Sequence, residues 1–449
     1  MKKSDKNENT KSSPRKRNKC VAGTFSVISL GCPKNLVDSE RCVFQMQQNG
    51  SVFQHEIDNC ETVVLNTCGF LRSARNESRQ YIEQLIHLKM KRRIGKIIVR
   101  GCMPEMESID ALAEEYPEVD EWFGVPAKHP DNVIPQRHLL TEKHAAYLRI
   151  ADGCDRHCSF CAIPKIRGKF HSEPLELLLD EAKQLAAAGA KELIVVAQET
   201  TFYGIDLYGK PKLTELLRQL EAIDGFRWIR LMYSAPIHFS DELIDLFADS
   251  AKNHGKLLPY IDMPLQHASD AMLKRMNRRI TKAETETLLD KLRSKIDNLV
   301  LRTSLMAGFP GETDDMLAEL VQFVERWKFE RAGVFSYSAE EGTPAAGFSE
   351  QVPPLVIERR YNRLRAVCRK HSDAWAERQV GNIADVQIDA PYIDENGRKV
   401  SDLFIGRTQW DAPDIDPLVY VTGSKLTAGE IVSCEVIEND GSNLAGVVV

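Results

Sequence analysis

The chain has 449 residues and a formal net charge of −6, with 43% apolar and 28% charged residues. This length suggests about three domains, and the composition is that of a globular protein. No apolar run reaches the roughly 18 residues of a membrane-spanning segment, so no such helix is expected. A chain whose whole surface binds nucleic acid would more often be basic, which argues against that class.

Residues 1–22 are polar and basic, without the apolar stretch of a secretory signal. We expect a disordered, solvated tail; contact of such a basic arm with RNA is the alternative. Without an export signal, the eleven cysteines of the chain indicate a cytoplasmic protein. In that compartment, grouped cysteines more often bind metal than form disulfides.

Residues 23–127 show an α/β repeat. The stretches Phe25–Leu30, Thr62–Asn66 and Lys96–Arg100 have the apolar pattern of buried strands, and helices follow them. The first of these helices is predicted to begin at Asp38, a residue type favoured at the N-cap. Strands that alternate with helices predict an open parallel sheet.

One cysteine follows each of these strands, and we name Cys32, Cys68 and Cys102 the N-terminal triad. The carboxyl ends of parallel strands meet at one edge of the sheet, where ligands bind, so the triad is predicted to converge. Three thiolates suit a four-iron cluster with one iron left open. The alternative is that the three cysteines are scattered by chance in an α/β domain. Cys42 and Cys60, which follow no predicted strand, are the negative controls for the pattern.

Residues 128–145 are irregular and predict a linker. A second α/β repeat with a long charged helix at its end occupies residues 146–378. Its six predicted strands are Tyr147–Ile150, Leu193–Ala197, Trp228–Met232, Pro259–Met263, Val300–Leu305 and Gly333–Tyr337. Six strand–helix units are fewer than the eight of a closed barrel, so we predict a partial barrel with a lateral opening.

The first strand of this barrel leads into a loop with cysteines at C-x3-C-x2-C spacing. We name Cys154, Cys158 and Cys161 the loop triad. Three thiolates on one loop can hold three irons of a four-iron cluster, which leaves the fourth iron open to a small molecule. The alternatives are a zinc site or three core cysteines. Zinc usually takes four ligands. His157 could supply the fourth, but it lies within the loop between two of the cysteines, where its binding geometry would be strained.

Polar residues occur at other strands of the barrel. Gln198 and Glu199 follow the second strand, and Arg302 and Ser304 lie within the fifth. We predict that these four residues contact a bound small molecule. An arginine suits a carboxylate because its guanidinium group can donate two parallel hydrogen bonds.

Residues 379–449 predict a small antiparallel β-barrel, because short strands alternate with turns such as Asn396-Gly397 and Asp440-Gly441. The predicted strands are Ile383–Ile388, Leu403–Gly406, Leu418–Val421, Glu430–Ile437 and Leu444–Val449. The acids are Asp385, Asp389, Asp394, Glu395, Asp402, Asp411, Asp414, Asp416, Glu430, Glu435, Glu438 and Asp440, against the bases Arg398, Lys399, Arg407 and Lys425. An acidic barrel repels phosphate and attracts a basic protein.

Together these stretches resemble the radical S-adenosylmethionine (SAM) methylthiotransferase family from about Thr24 to the end of the chain. The loop triad with Phe160 is similar to the radical SAM signature, and the C-terminal barrel resembles a TRAM domain, an OB-like module of RNA-modifying enzymes. The sequence SLGCPKNLVDSE from Ser29 to Glu40 is similar to the RimO type. Supporting stretches are Gln198–Gly204, Pro264–His267 and Gly406–Asp416.

The resemblance implies a transferase of methylthio groups that uses two SAM molecules and two 4Fe–4S clusters. The loop triad would hold the cluster that cleaves SAM to a radical, and the N-terminal triad an auxiliary cluster at which a sulfur is methylated. The radical would take a hydrogen from the β-carbon of an aspartate in the twelfth small-subunit ribosomal protein. That C–H bond is unactivated, so no side-chain base removes its proton near neutral pH.

No catalytic residue is implied beyond the cluster ligands, and Phe160, Gln198, Glu199, Arg302 and Ser304 would contact SAM. The implied partners are the basic ribosomal protein, free or on its subunit, an electron donor protein and a sulfur donor, with no membrane. One alternative function is the same methylthiolation on a tRNA adenosine beside the anticodon. An alternative from another class is a non-catalytic iron–sulfur redox or iron sensor.

Overall fold

The computed structural model describes residues 20–126, 136–441 and 443–449. Most of the predicted tail and part of the predicted linker lie outside the described residues. Three units follow one another along the chain: a parallel sheet with helices, a larger parallel sheet with helices, and a small barrel. Within the described ranges, no helix combines the length and apolar character required to cross a bilayer.

The N-terminal unit is a five-stranded sheet of order β2-β1-β3-β4-β5, in which every pairing is parallel. The predicted open parallel α/β architecture is therefore confirmed. β2 and β5 were not predicted, because each has only two residues. The strands are β1 (Val21–Ser29), β2 (Val52–Phe53), β3 (Cys60–Thr67), β4 (Lys96–Gly101) and β5 (Glu121–Trp122), and the helices are α1 (Pro33–Gln48), α2 (Arg72–Met90), α3 (Cys102–Met106) and α4 (Ile109–Glu115).

Two boundaries in this unit differ from the sequence prediction. β1 begins at Val21, inside the predicted tail, because Val21 pairs with Cys60 of β3. α1 begins at Pro33 and not at Asp38. Proline is favoured at the first helical position, where its missing N–H costs nothing. The Asp38 carboxylate instead accepts a hydrogen bond from Arg149 of the second unit, at 2.5 Å.

The second unit is a six-stranded parallel sheet of order β6-β9-β10-β11-β12-β13. The predicted six-strand partial barrel is confirmed. Its strands are β6 (Ala145–Arg149), β9 (Glu192–Val196), β10 (Trp228–Leu231), β11 (Leu257–Asp262), β12 (Val300–Ala307) and β13 (Arg331–Ser336), with a separate pair β7 (Ala151–Asp152) and β8 (His171–Ser172). Its helices are α5 (Ile163–Arg167), α6 (Leu175–Ala187), α7 (Ile205–Tyr208), α8 (Leu213–Glu221), α9 (Asp241–Lys252), α10 (Asp270–Arg275), α11 (Lys282–Lys295), α12 (Asp314–Trp327) and α13 (Pro354–Glu377).

Strand β9 shows how this sheet is buried on both faces. Leu193 and Val195 belong to the hydrophobic cluster beneath the outer helices. Ile194 and Val196 point to the other face and belong to a cluster shared with the C-terminal barrel. Successive side chains of a strand point to opposite faces, so a strand covered on both sides is apolar throughout.

The C-terminal unit is a closed barrel of order β14-β15-β16-β18-β17. Four of its pairings are antiparallel, as predicted, and the β16–β18 pairing is parallel. The strands are β14 (Ile383–Ile393), β15 (Lys399–Thr408), β16 (Val419–Thr422), β17 (Ile431–Asn439) and β18 (Leu444–Val448).

A buried ion network joins this barrel to the inner face of the six-stranded sheet. Glu192 of β9 accepts from Arg230 at 2.8 Å and from Arg407 of β15 at 2.6 Å. Burial alone would raise the pKa of Glu192, but the charges of Arg407 and Arg230 lower it below its ordinary value. Arg331 of β13 likewise donates to Asp411 at 2.6 Å. Some barrel acids therefore face the second unit and not solvent.

Candidate active site

The three cysteine loops of the N-terminal sheet pack against one another at its carboxyl edge. Cys32 is the N-cap of α1, Cys68 follows β3, and Cys102 begins α3. A methyl group added at Gly31 would lie 2.9 Å from Cβ of Cys68. One added at Gly69 would lie 2.3 Å from the carbonyl oxygen of Cys102. Only residues without a side chain allow the loops to approach this closely.

Two buried asparagines fix these loops. Asn35 Nδ2 donates to the carbonyl oxygens of Leu30 at 2.6 Å and Thr67 at 3.2 Å. Asn66 Nδ2 donates to the carbonyl oxygen of Asn35 and to Ser39 Oγ, both at 2.8 Å. These buried amide donors tie the first turn of α1 to the ends of β1 and β3, so the N-terminal triad is held before any ligand binds.

The loop between β7 and α5 carries the loop triad. Its residue His157 has a left-handed backbone conformation, with φ of 50°. Asn277, which follows α10, donates from Nδ2 to the carbonyl oxygen of His157 at 2.9 Å. Its neighbour Arg278 donates from Nη1 to Sγ of Cys158 at 3.6 Å. The segment after α10 therefore holds the cysteine loop in a strained conformation, as is common at functional sites.

Both triads line a single cavity of about 490 Å³. All six cysteines of the two triads face it, although they come from four separate loops. Its remaining wall is formed by Lys34, Phe70, Arg156, Phe160, Ile163, Ile166, Arg167, Gln198, Glu199, Tyr233, Ser234, Ala235, Pro264, Gln266, Arg278 and Phe335. A concave apolar site with a few converging polar groups is typical of a binding or active site.

Burial raises the pKa of several of the thiols in this cavity. Burial raises the pKa of Cys102 to about 12, even though the charge of Arg167 lowers it. Burial likewise raises the pKa of Cys161 to about 12 and that of Cys154 to about 11. A metal centre supplies the positive charge that stabilises thiolates, so metal binding and loss of these protons are coupled.

Each triad offers three thiols to a metal centre. Among the described residues, no three His, Cys, Asp or Glu side chains are placed to hold one metal ion. A structural zinc site needs four ligands around a single ion. In a four-iron cluster each thiolate binds a different iron, so a wider triad is suitable. Two groups of three thiols around one cavity therefore fit two iron–sulfur clusters.

Three of the five predicted SAM contacts line this cavity: Phe160, Gln198 and Glu199. Gln198 Nε2 donates to Asp152 Oδ1 at 2.9 Å, which fixes the amide. Its Oε1 is buried and accepts no hydrogen bond from the described residues, so it is free to accept one from a ligand. The carboxylate of Glu199 is neutralised by an ion pair with Arg156.

The other two predicted contacts, Arg302 and Ser304, are not among the residues that line the cavity. Arg302 is the third residue of β12, far from the carboxyl edge of the sheet. Its guanidinium group pairs with Asp262 at 2.8 Å and with Asp416 of the C-terminal barrel at 3.4 Å. Its carboxylate partners are thus two protein side chains, with one contact to each, and Arg302 belongs to the junction with the barrel.

Sequence reasoning missed several cavity residues, of which Lys34, Arg167 and Tyr233 are the most informative. Lys34 and Arg167 lie close to triad cysteines in the sequence, and this proximity was the available signal. Arg167 donates to Asp38 and to Asp152, each at 2.9 Å. Tyr233 has a left-handed φ of 59°, which no sequence pattern indicates.

Family models match all three units of the chain. Residues 148–324 match the radical SAM superfamily, residues 24–124 match an uncharacterized protein family called UPF0004, and residues 380–449 match the TRAM domain. The predicted TRAM-like barrel and radical SAM core are thereby confirmed.

Curated relatives match over almost the whole chain. A protein of Lachnoclostridium phytofermentans is 41% identical, with 93% of this chain and 98% of the relative covered. A protein of Flavobacterium johnsoniae is 40% identical, with 94% and 97% covered. Both are named ribosomal protein uS12 methylthiotransferase RimO.

Among solved structures, the fold is similar to that of the radical SAM methyltransferase TsrM from Kitasatospora setae. The TM-score is 0.54 at 13% identity, and 84% of this chain and 86% of that chain are covered. This likeness concerns the fold alone. From the near-complete match to its curated relatives and the two triads that face one cavity, the chain belongs to the RimO family of radical SAM methylthiotransferases.

Proposed function

We propose that this chain attaches a methylthio group to the β-carbon of an aspartate in ribosomal protein uS12. The observation that carries the proposal is the single cavity lined by both triads, one from each parallel sheet. The site that supplies the sulfur and the site that forms the radical must act on the same substrate. A cavity that both triads line allows them to do so. The names of the curated relatives supply the protein substrate.

In this proposal the loop triad holds the cluster that binds SAM, and the N-terminal triad holds the auxiliary cluster. When bound, the two clusters supply the electron that cleaves SAM and the sulfur that is methylated and transferred. The radical chemistry belongs to the cofactors, and the protein contributes binding, orientation and exclusion of side reactions.

The chain's own residues shape the SAM side of the cavity. Gln198 offers its buried Oε1 to the amino group or a ribose hydroxyl of SAM. Phe160 and Phe335 contribute apolar surface near the loop triad. Arg278 donates to Cys158, and a hydrogen bond to a thiolate stabilises the negative charge on its sulfur. Glu199, paired with Arg156, positions that arginine at the cavity wall.

The surface of the C-terminal barrel supports a basic protein as the substrate in preference to tRNA. Asp389, Asp411 and Asp416 pair with arginines at the junction and do not act at the surface. The remaining surface is still acidic: its exposed acids are Asp385, Glu395, Asp402, Asp414, Glu430, Glu435, Glu438 and Asp440, against exposed Arg398, Lys399 and Lys425. These exposed acids would repel phosphates and would attract a basic ribosomal protein.

The proposal also requires an electron donor protein and a source of sulfur, and we place the reaction in the cytoplasm. The chain's eleven cysteines form no disulfide, which agrees with a reducing compartment. The substrate would be uS12, either free or on its ribosomal subunit.

The test is an anaerobic assay of the reconstituted protein with SAM and a strong reductant, offered uS12 and tRNA together. Mass spectrometry should find the methylthio mass increase on uS12 and none on tRNA. Cys32→Ala should abolish this product, whereas Cys42→Ala, which alters a buried α1 cysteine outside the cavity, should retain it. Modification of tRNA alone would favour the tRNA alternative. Intact clusters without any product would favour the sensor.

A further inference from the structure

Lys34 places a positive charge inside the cavity. It lies in the first turn of α1, two residues after Cys32, and its side chain is only 6% exposed. It nevertheless lines the cavity that both triads share. Its Nζ lies 3.5 Å from the centroid of the Tyr233 ring. An ammonium group over the face of an aromatic ring is attracted to it, which fixes where the charge sits.

The other cations of the cavity wall have protein partners. Arg156 pairs with Glu199, and Arg167 pairs with both Asp38 and Asp152. Arg278 donates to the carbonyl oxygen of Pro264 at 2.6 Å and to Cys158.

Lys34 differs from these arginines. Among the described residues it forms no ion pair with a carboxylate, and the groups that interact with its charge are the Tyr233 side chain and the Cys32 sulfur. A buried ammonium group that has no carboxylate beside it is suited to a negatively charged ligand.

Hydrogen bonds fix the backbone of Tyr233, whose ring contacts Lys34. Tyr233 follows β10 and has a left-handed φ of 59°, which is unfavourable for a residue with a bulky side chain. The Asp262 carboxylate holds this conformation by accepting from the Tyr233 N–H at 2.9 Å. Thr200 N–H donates to the Tyr233 carbonyl at 3.2 Å. Backbone strain that neighbouring residues maintain in this way is common at functional sites.

We propose that Lys34, seated on the Tyr233 ring, is the subsite for the side-chain carboxylate of the substrate aspartate. This inference rests on the proposed function and adds the residue that recognises the target side chain. The carboxylate is bonded to the β-carbon that is modified, so an ion pair with Lys34 holds that carbon in the cavity between the triads. A tRNA base carries no carboxylate, so the same contact discriminates between the two substrate classes.

The test compares uS12 with a variant uS12 whose target aspartate is asparagine. Wild-type enzyme should prefer the aspartate substrate in kcat/KM. In Lys34→Met, kcat/KM for the aspartate substrate should fall by about 10- to 100-fold, the range for loss of a charged hydrogen bond, while the asparagine substrate changes little. The preference should therefore collapse, and Lys34→Arg should retain part of it. Lys252→Met, an exposed lysine at the end of α9, should behave as wild type.

Two further measurements separate this role from others. The iron content of Lys34→Met and its KM for SAM, measured by 5′-deoxyadenosine formation without uS12, are compared with those of wild type. Loss of iron would assign Lys34 to the auxiliary cluster, and a raised KM for SAM would assign it to the SAM carboxylate; either result overturns the subsite. An unchanged aspartate preference overturns it as well. If wild type cleaves SAM but never modifies uS12, the proposed function fails, and the subsite fails with it.

Discussion

Arg167 Nη2 lies 3.7 Å from Sγ of Cys102, so a guanidinium group contacts the N-terminal triad directly. The same group pairs with Asp38 of α1 and with Asp152 before the loop triad. Its side chain is 1% exposed, so solvent and salt screen its charge only weakly. A positive charge at this position favours the reduced, more negative state of a cluster bound by Cys102.

Replacement of Arg167 should therefore change the redox behaviour of the auxiliary cluster. Arg167→Gln should lower its reduction potential by about 50 mV, or about 1.2 kcal/mol for one electron. The measurement is an EPR-monitored redox titration of a chain in which alanines replace the loop triad. Arg167→Lys keeps the charge and should retain most of the potential. Equal potentials in the Gln variant and its parent would contradict this electrostatic role.

Gly31 should be required for the N-terminal triad to close. Its φ is +89°, and a methyl group there would lie 2.9 Å from Cβ of Cys68. Gly31→Ala should therefore bind only one cluster after reconstitution, with about four iron atoms per chain in place of about eight. Chemical iron analysis provides the measurement.

Gly50→Ala is the matched control for this effect. Gly50 has a similar φ of +87°, but nothing lies within 4 Å of its added methyl group. Both substitutions impose left-handed strain of about 1–2 kcal/mol, and only one disturbs the cysteines. If both variants lost iron equally, general destabilisation and not the contact with Cys68 would be the cause.

The exposed acids of the C-terminal barrel should control docking of the basic substrate. Asp385 of β14 and Glu435 of β17 are exposed on adjacent strands. The double substitution Asp385→Lys/Glu435→Lys should raise KM for uS12 by about 10-fold at low salt, with kcat little changed. The difference should shrink as salt is raised, because screening weakens exposed charges. As a control, replacement of exposed Glu242 and Asp249 of α9 by lysine should leave KM for uS12 unchanged. If KM did not respond to the charges of the barrel either, the barrel would not be the docking surface.

The buried pair of Arg407 and Glu192 should stabilise the junction between barrel and sheet. Arg407→Leu should lower the free energy of unfolding by about 3 kcal/mol, because buried Glu192 keeps only Arg230 and Asp389 loses its arginine partner. Arg398→Leu removes a pair with Asp394 in which the arginine side chain is 75% exposed, and it should cost no more than about 1 kcal/mol. Urea denaturation of both variants would measure the difference, and equal midpoints would argue against a stabilising junction.

Local patterns in the sequence were sufficient for the architecture. Apolar strands that alternate with helices predicted both parallel sheets, and the Asn396-Gly397 and Asp440-Gly441 turns lie where the barrel hairpins turn. The parallel arrangement of the strands also predicted that Cys32, Cys68 and Cys102 lie at one edge of the sheet, because parallel strands all have their carboxyl ends on the same side. These features depend on neighbours along the chain, or on a topology that allows few arrangements.

The tertiary structure alone decided which charges face the cavity. Arg167 and Asp38 are 129 residues apart in sequence and 2.9 Å apart in space. Arg302, chosen from the sequence as a carboxylate ligand, is instead neutralised by Asp262 and Asp416. Lys34, which sequence reasoning passed over, has no such partner among the described residues. Whether a charge is free to bind a ligand depends on which distant residues fold against it, and no local pattern contains that information.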